Sequence, residues 1–133
     1  MKFRAVYKIL SAFIFYPEKL CVDSPNITIG PFVFISKKHN DKIELEEHGL
    51  VHVKQFYRTF GFVYILYLSK NSRFKLDIEA YKRQLEVKIP GNNNPSLKKY
   101  LAGKYGEVLA NKYKIGLNKK TIRNILLGKF WVH

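Results

Sequence analysis

Two histidines on one predicted helix, His48 and His52, are the feature that most constrains the fold of this chain. They lie in the segment 44–55, ELEEHGLVHVKQ, where apolar residues interleave with acids in the pattern of a half-buried helix. A separation of four residues is about 40° of rotation and one turn of rise, so both imidazoles leave the same face. Two such imidazoles can share one metal ion. The segment therefore predicts a helix that packs on a core and carries a candidate metal-binding face.

The histidine pair by itself also has an ordinary structural explanation. The chain contains four histidines, and two of them can lie four residues apart by chance. Backbone or carboxylate hydrogen bonds would then satisfy both rings on the polar edge of a helix. The zinc-peptidase pattern also requires a glutamate directly after the first histidine, where this chain has Gly49. A metal site therefore needs support from the rest of the sequence.

Composition and charge describe a folded, basic chain. Its 133 residues, 47% of them hydrophobic, suffice for one buried core and suit a single domain. Lys and Arg number 24 against 10 Asp and Glu, a formal charge of +14, which favours nucleic acid or another anionic partner, or simply a solvated basic surface. Cys21 is the only cysteine, which excludes an intrachain disulfide. No apolar run reaches the length of a membrane span, so we expect a cytoplasmic protein without a membrane partner.

The chain ahead of the histidine helix predicts one helix and two strands. Residues 2–16 are apolar and aromatic with an i, i+3, i+4 recurrence that favours a helix, and a buried strand is the alternative. Residues 27–29 and 32–35 are rich in β-branched and aromatic side chains and flank a Gly-Pro pair, which predicts two short strands.

A polar loop separates these strands from the histidine helix, and more helices follow it. The loop offers Asn40 or Asp41 as the cap of a helix from about residue 42 to 58. The apolar connector 62–68 is expected to pack in the core. A second helix is expected over about 74–87, and the linker 91–95 that follows it is the clearest break in the chain. Beyond the linker we expect a helix over about 96–113 capped by Ser96, and a last helix that begins at Asn118 or Thr121 and ends at Leu127.

The order of these features resembles small gluzincin-type zinc metallopeptidase domains found in bacterial and phage genomes. In that family a His-Glu-x-x-His-x-x-Gln helix is followed by a hydrophobic stretch and then by a Glu-Ala-Tyr segment that provides the third metal ligand. The matching residues here are His48, His52 and Gln55, the stretch 62–68, and the segment 79–81 that begins with Glu79. The resemblance covers about residues 27–84.

The resemblance implies a Zn²⁺ ion held by His48, His52 and Glu79, with Gln55 behind the ligands and a peptide or protein as substrate or partner. Two imidazoles and a carboxylate are a common donor set for zinc and leave a fourth position for water. Glu79 can instead be an exposed helix carboxylate paired with basic residues three or four positions away. Gln55 can equally be a buried polar residue of the core.

Gly49 stands where the family has its general base. Loss of such a base typically lowers the rate by a factor of about 10²–10⁴, so the resemblance implies a weakly active or inactive hydrolase, or a binding module on the same fold. Glu46, three residues earlier on the helix, is the candidate replacement base. Gly49→Glu would restore a carboxylate near the metal-bound water without changing the ligands, so it is expected to keep zinc binding and to restore peptide hydrolysis. Because glycine is a poor helix former, the same substitution is expected to keep or raise the thermal stability.

A second hypothesis is a basic nucleic-acid-binding domain in which the histidine pair is incidental. Its basic residues lie on the two C-terminal helices: Lys98, Lys99, Lys104, Lys112, Lys119, Lys120 and Arg123. Binding through phosphate contacts would fall steeply with salt. Gly103 and Gly106, on the first of these helices, indicate close packing or a bend.

The expected fold class is therefore α+β. It is a small single domain over residues 1–133, in which short antiparallel β-strands pack on the metal-site helix and on a second ligand helix. The metallopeptidase-like core would span 27–87, and a helical hairpin at 95–128 would follow it.

Overall fold

The computed structural model describes residues 1–7, 10–20 and 24–129, and within these ranges the chain forms a four-stranded sheet and five α-helices. The predicted α+β class is confirmed. Contacts divide the chain into two compact units, residues 1–65 and 66–133, so the boundary falls in the predicted connector and not at the linker 91–95. Cys21 lies outside the described residues. None of the helices in the described ranges is long and apolar enough to cross a membrane.

The first unit contains the sheet. Its strands are β1 (Lys2–Tyr7), β2 (Leu10–Phe15), β3 (Asn26–Ile29) and β4 (Phe32–Ile35), arranged in the order β1-β2-β4-β3. The two strands predicted around the Gly-Pro pair are confirmed as β3 and β4, which pair antiparallel. β1 and β2 also pair antiparallel, whereas β2 and β4 are parallel, so the sheet is mixed where short antiparallel strands were expected.

The helix predicted over residues 2–16 is wrong, because β1 and β2 occupy this stretch; residues 8 and 9 lie outside the described ranges. Nearly every position here is apolar or aromatic, so the sequence satisfies a helical and a strand period at once. Strand alternation is visible on β2, where Ala12 and Ile14 are fully buried. Phe13 points to the opposite face and its ring lies 4.9 Å from that of Phe3 on β1.

The histidine helix is α1, Ile43–Arg58, and it packs on the sheet. Leu45, Leu50 and Val53 of α1 join Ile14 and Val33 of the sheet in the buried core of this unit. All residues from 45 to 51 are buried, so burial extends around α1 over this stretch and is wider than the half-buried pattern of the sequence predicted.

The predicted Asn40 or Asp41 cap of α1 is wrong. Lys42 is the N-cap residue and makes no side-chain hydrogen bond to the helix. A short 3-10 helix, Lys37–His39, precedes it, and the backbone N–H of Lys42 donates to the carbonyl of His39. Backbone turns therefore organise the start of α1 where a side-chain cap was expected.

The connector 62–68 is largely exposed, so its predicted place in the core is wrong. It contains α2, Val63–Leu66, in which Val63 is 2% exposed. Phe62 and Ile65 are 67% and 60% exposed. A helix of one turn can bury only one of its faces, and the remaining apolar residues of this stretch point outward.

The second unit is helical, with α3 (Lys70–Lys88), α4 (Pro95–Tyr113) and α5 (Lys119–Leu126). Its core is formed by large apolar residues from all three helices, including Phe74, Leu85, Leu109, Ile122 and Ile125. The predicted C-terminal helical hairpin is present as α4 and α5, and residues 89–94, which include most of the predicted linker, connect α3 to α4.

The N-caps of these helices follow the sequence in part. The side chain of Asn118 accepts a hydrogen bond from the backbone of Thr121 at 2.8 Å, so the predicted Asn118 start of α5 is confirmed. α4 is capped by Asn94 and not by Ser96, because Pro95 already occupies the first helical position. α3 begins at Lys70 and is capped by Ser69, four residues ahead of the predicted start.

Candidate functional site

His48 and His52 lie one turn apart on α1, with ring centroids separated by 5.1 Å and ring planes inclined at 60°. His48 is only 8% exposed, and His52 is half-buried. The two rings are therefore neighbours on one face of the helix, close to the core of the first unit, as the four-residue spacing predicts.

Gln55 contacts the second of these histidines. Its Oε1 lies 2.9 Å from Nδ1 of His52, and the glutamine side chain is fully buried. With Oε1 as the acceptor, the proton of the neutral imidazole sits on Nδ1, and Nε2 is the nitrogen that carries the lone pair. Metal-bound histidines are oriented by contacts of this kind. The contact is present, and its role behind a metal ligand stays a prediction.

Glu46 is tied to the edge strand β1. Its carboxylate accepts hydrogen bonds from Lys2 Nζ at 2.9 Å and from Arg4 Nη1 at 2.6 Å, and Glu46 is 4% exposed. Burial raises the pKa of Glu46, but the hydrogen bonds and positive charges of Lys2 and Arg4 outweigh burial, so the net pKa is lowered. A general base works best with a pKa near neutrality. Glu46 is therefore a structural tether between α1 and β1 and a poor candidate for the replacement base.

Gly49 packs directly against the sheet. A Cβ atom at this position would lie 2.6 Å from Cγ1 of Val33 and 3.3 Å from Oγ1 of Thr28. Val33 is fully buried in β4, and its β-branched side chain has little rotamer freedom. This contact argues against the expectation that Gly49→Glu keeps or raises the stability, because any side chain here must displace Val33.

Glu79 lies on α3 in the second unit. The two residues that follow it in the resemblance, Ala80 and Tyr81, are packed in this unit: Ala80 is fully buried, and the Tyr81 ring lies 5.1 Å from that of Tyr105. Burial is the main cause that raises the pKa of Tyr81 to about 12. Among the described residues, no group of three or more His, Cys, Asp or Glu is arranged to hold a metal ion. Glu79 as the third ligand stays a prediction.

The seven basic residues of the C-terminal helices fall into two groups. Five line one cleft of the second unit: Lys99, Lys104, Lys119, Lys120 and Arg123. The other two are held by acids. Lys98 Nζ donates to Glu86 at 2.7 Å, and Lys112 Nζ donates to Asp77 at 2.9 Å.

Two polar clusters were not found from the sequence. One is the tether of Glu46 to β1, and the other is the carboxylate of Asp77, 7% exposed, which accepts hydrogen bonds from the hydroxyl of Tyr113 and from Lys112. Burial, followed by the charge of Asp77, raises the pKa of Tyr113. In both clusters the partners are more than 30 residues apart, and the only sequence feature that could have indicated them is an acid on an otherwise apolar helix face.

Comparisons with known proteins give no relative. No protein-family model, no curated protein and no solved structure matches the chain.

Proposed function

We propose that the chain is a zinc-binding, metallopeptidase-like protein that is weakly active or inactive as a hydrolase, with His48 and His52 as metal ligands. The observation that carries this proposal is the contact of Gln55 Oε1 with Nδ1 of His52, next to a second imidazole whose ring centroid is 5.1 Å away. In a neutral imidazole this contact leaves the lone pair on Nε2, which is the nitrogen that would then bind zinc.

The donor set fits zinc in kind. Zinc prefers imidazole nitrogen, thiolate and carboxylate, and two helical histidines four residues apart supply two of its ligands. Glu79 is the proposed third ligand on the strength of the sequence resemblance. A bound zinc would supply Lewis-acid activation of a water molecule or a carbonyl group. The proposed partner is a peptide or protein, and the expected location is the cytoplasm.

Weak or absent catalysis follows from two residues of α1. Gly49 has no side chain to take a proton, and Val33 fills the space that a side chain there would need. Glu46 is engaged with Lys2 and Arg4, and its pKa is lowered. Neither residue offers a base with a pKa near neutrality, so a binding role on a peptidase-like scaffold is the favoured form of the proposal.

Metal analysis of protein purified without chelators tests the proposal. We expect one zinc ion per chain, reduced strongly by His52→Ala and unchanged by His39→Ala, a control histidine on the 3-10 helix. Gln55→Leu keeps a buried side chain of similar size but removes the contact with His52, and it should weaken zinc affinity about 10- to 100-fold. Affinity is measured by competition with a chromogenic chelator. Protein that neither carries nor takes up zinc, or equal zinc loss in the His39 and His52 variants, would contradict the proposal.

A casein-cleavage assay then tests for residual hydrolase activity. The natural sequence should cleave slowly or not at all, and any cleavage should disappear with a chelator and in His52→Ala. Robust cleavage that survives both treatments would show that the histidine pair is not involved.

A further inference from the structure

A basic cleft lies between α4 and α5 in the second unit. Its volume is about 580 Å³, and its lining includes five cationic side chains and one aromatic ring: Lys99, Tyr100, Lys104, Lys119, Lys120 and Arg123. All of these belong to two helices that pack closely on each other, so the cleft is built within one compact unit.

One glycine of α4, Gly106, lets α5 approach closely beside this cleft, and a second, Gly103, lies next to it. At Gly106 a Cβ atom would lie 2.7 Å from the backbone oxygen of Lys119, so only glycine fits the helix crossing without movement of the backbone. At Gly103 a Cβ atom would lie 3.7 Å from Cδ of Arg123, an ordinary contact distance. The Arg123 stem therefore lies along α4 at Gly103. Close packing at Gly106, one of the two explanations given by the sequence, is confirmed.

The cations of the cleft are available for an anionic ligand. Within the described residues, none of the five takes part in a salt bridge. Lys98 and Lys112, which lie on α4 outside the cleft, are paired with Glu86 and Asp77. Nε of Arg123 is buried and has no hydrogen-bond partner in the described part of the chain. Glu107 is the one carboxylate in the lining. Several unpaired cations along one groove are the electrostatic pattern of a phosphate-binding surface.

Tyr100 adds an aromatic surface to the same cleft. Its side chain is 59% exposed, and Lys104 Nζ lies 5.4 Å from its ring centroid. An exposed tyrosine beside backbone-binding cations is the arrangement on which single-stranded nucleic acids stack their bases. A duplex hides the faces of its bases, so a stacking tyrosine favours the single strand.

We propose that the cleft between α4 and α5 binds single-stranded nucleic acid, with the five cations on consecutive phosphates and the Tyr100 ring stacked on a base. The site lies in the second unit, and the proposal does not depend on zinc binding by His48 and His52 in the first. A phosphate contact supplies affinity without sequence preference, and base stacking tolerates every base. The expected ligand is therefore any single strand of RNA or DNA several nucleotides long.

Fluorescence anisotropy of the full chain with labelled oligo(dT) and oligo(rU) of about 12 nucleotides tests the proposal. With five phosphate contacts on a single strand, the slope of log affinity against log salt should be about −3.5, which is about a hundredfold loss between 50 and 200 mM salt. Lys119→Gln with Lys120→Gln should make the slope shallower by about 1.4. Tyr100→Ala should weaken binding about 5- to 150-fold at every salt concentration and leave the slope unchanged, whereas Tyr100→Phe should bind normally.

A matched control separates a site from general charge. Lys38→Gln with Lys42→Gln removes the same charge from two exposed positions of the first unit and should leave binding unchanged. Circular dichroism and thermal melts confirm that each variant is folded. An equal loss of binding from the two double lysine variants would overturn the proposal. Tighter binding to a duplex than to a single strand, or binding only to anionic vesicles, would also overturn it. His52→Ala should bind nucleic acid normally even if it loses zinc.

Discussion

Gly49→Ala is the perturbation that most directly tests the packing of α1 on the sheet. Alanine adds one methyl group, and its carbon would lie 2.6 Å from Cγ1 of Val33 and 3.2 Å from Cγ2. Carbon atoms in a well-packed core lie about 3.5–4.0 Å apart, so α1 and β4 must separate by about 1 Å or Val33 must move. Val33 is fully buried and its preferred rotamer is fixed by branching at Cβ.

Two opposing effects set the magnitude of the Gly49→Ala change. Replacing glycine by alanine inside a helix is favourable by about 1 kcal/mol. Overpacking of a core by one methyl group is unfavourable by about 1–3 kcal/mol. The free energy of unfolding should therefore fall by roughly 0–2 kcal/mol, and because the first unit has 65 residues, each kcal/mol corresponds to about 4–8 °C in Tm. Gly49→Glu should destabilise more, since it also buries a carboxylate.

Gly103→Ala and Gly106→Ala are the matched comparisons, because both lie inside α4 and gain the same helix propensity. Gly103→Ala meets only an ordinary contact and should raise stability by about 0.5–1 kcal/mol. Gly106→Ala meets the backbone of α5, so overpacking of about 1–3 kcal/mol outweighs the gain in helix propensity of about 1 kcal/mol, and stability should fall by roughly 0–2 kcal/mol. Urea unfolding followed by circular dichroism measures all three.

A double-mutant cycle with Val33→Ala isolates the contact at Gly49. Removal of two methyl groups from Val33 makes room for the new methyl, so the loss in the double variant should be smaller than the sum of the two single losses by about 1 kcal/mol or more. If Gly49→Ala stabilises as much as Gly103→Ala, or if the cycle is additive within about 0.5 kcal/mol, the packing argument is refuted.

Two further predictions concern the buried carboxylates. Glu46→Gln should lower the free energy of unfolding at neutral pH by about 1–3 kcal/mol, because it weakens charge-assisted hydrogen bonds from Lys2 and Arg4. Since the folded pKa of Glu46 is lowered, this stabilisation is present above its ordinary pKa of 4.5 and is lost as the pH falls through the folded value. Urea titrations between about pH 7 and about pH 3 should show that the free energy of unfolding of the variant depends less on pH. The same pH dependence in both proteins would contradict the role of Glu46 as a tether. Tyr113→Phe should also lower stability by about 1–3 kcal/mol, because it removes a hydroxyl donor from the buried carboxylate of Asp77, and a neutral result in the same urea assay would show that Asp77 does not depend on it.

Elements with a clear single periodicity could be predicted from the sequence. Most apolar positions of α1 lie three, four or seven residues apart, and the helix was predicted to within a residue at each end. The strands β3 and β4 were predicted because β-branched residues flank a turn. Residues 2–16 do not distinguish a helical from a strand period, since almost every position is apolar. The strand is favoured by pairing and packing with residues that are distant in the sequence.

The candidate sites were predictable in their residue types and less so in their surroundings. The spacing of His48 and His52 fixes their common face, and the contact of Gln55 follows from its position three residues later. The space beside Gly49 could not be predicted, because it depends on which residue of β4 faces α1. The basic residues of α4 and α5 were identified from charge alone. Their division into cleft residues and acid-paired residues depends on Asp77 and Glu86 of α3, which only the tertiary structure brings near.

The parallel pairing of β2 with β4 also affects the order in which the first unit can fold. β3 and β4 are joined by a turn of two residues, where Gly30 adopts a φ of 58°, so this hairpin is local and can form within microseconds. β2 must then dock on β4 in a register that pairs Phe13 with Phe32, a less local contact that closes a longer loop. The helical second unit relies on contacts between consecutive helices and should fold faster. On the ribosome the slower unit is made first, so it has the time during which the second unit is synthesised to complete its sheet.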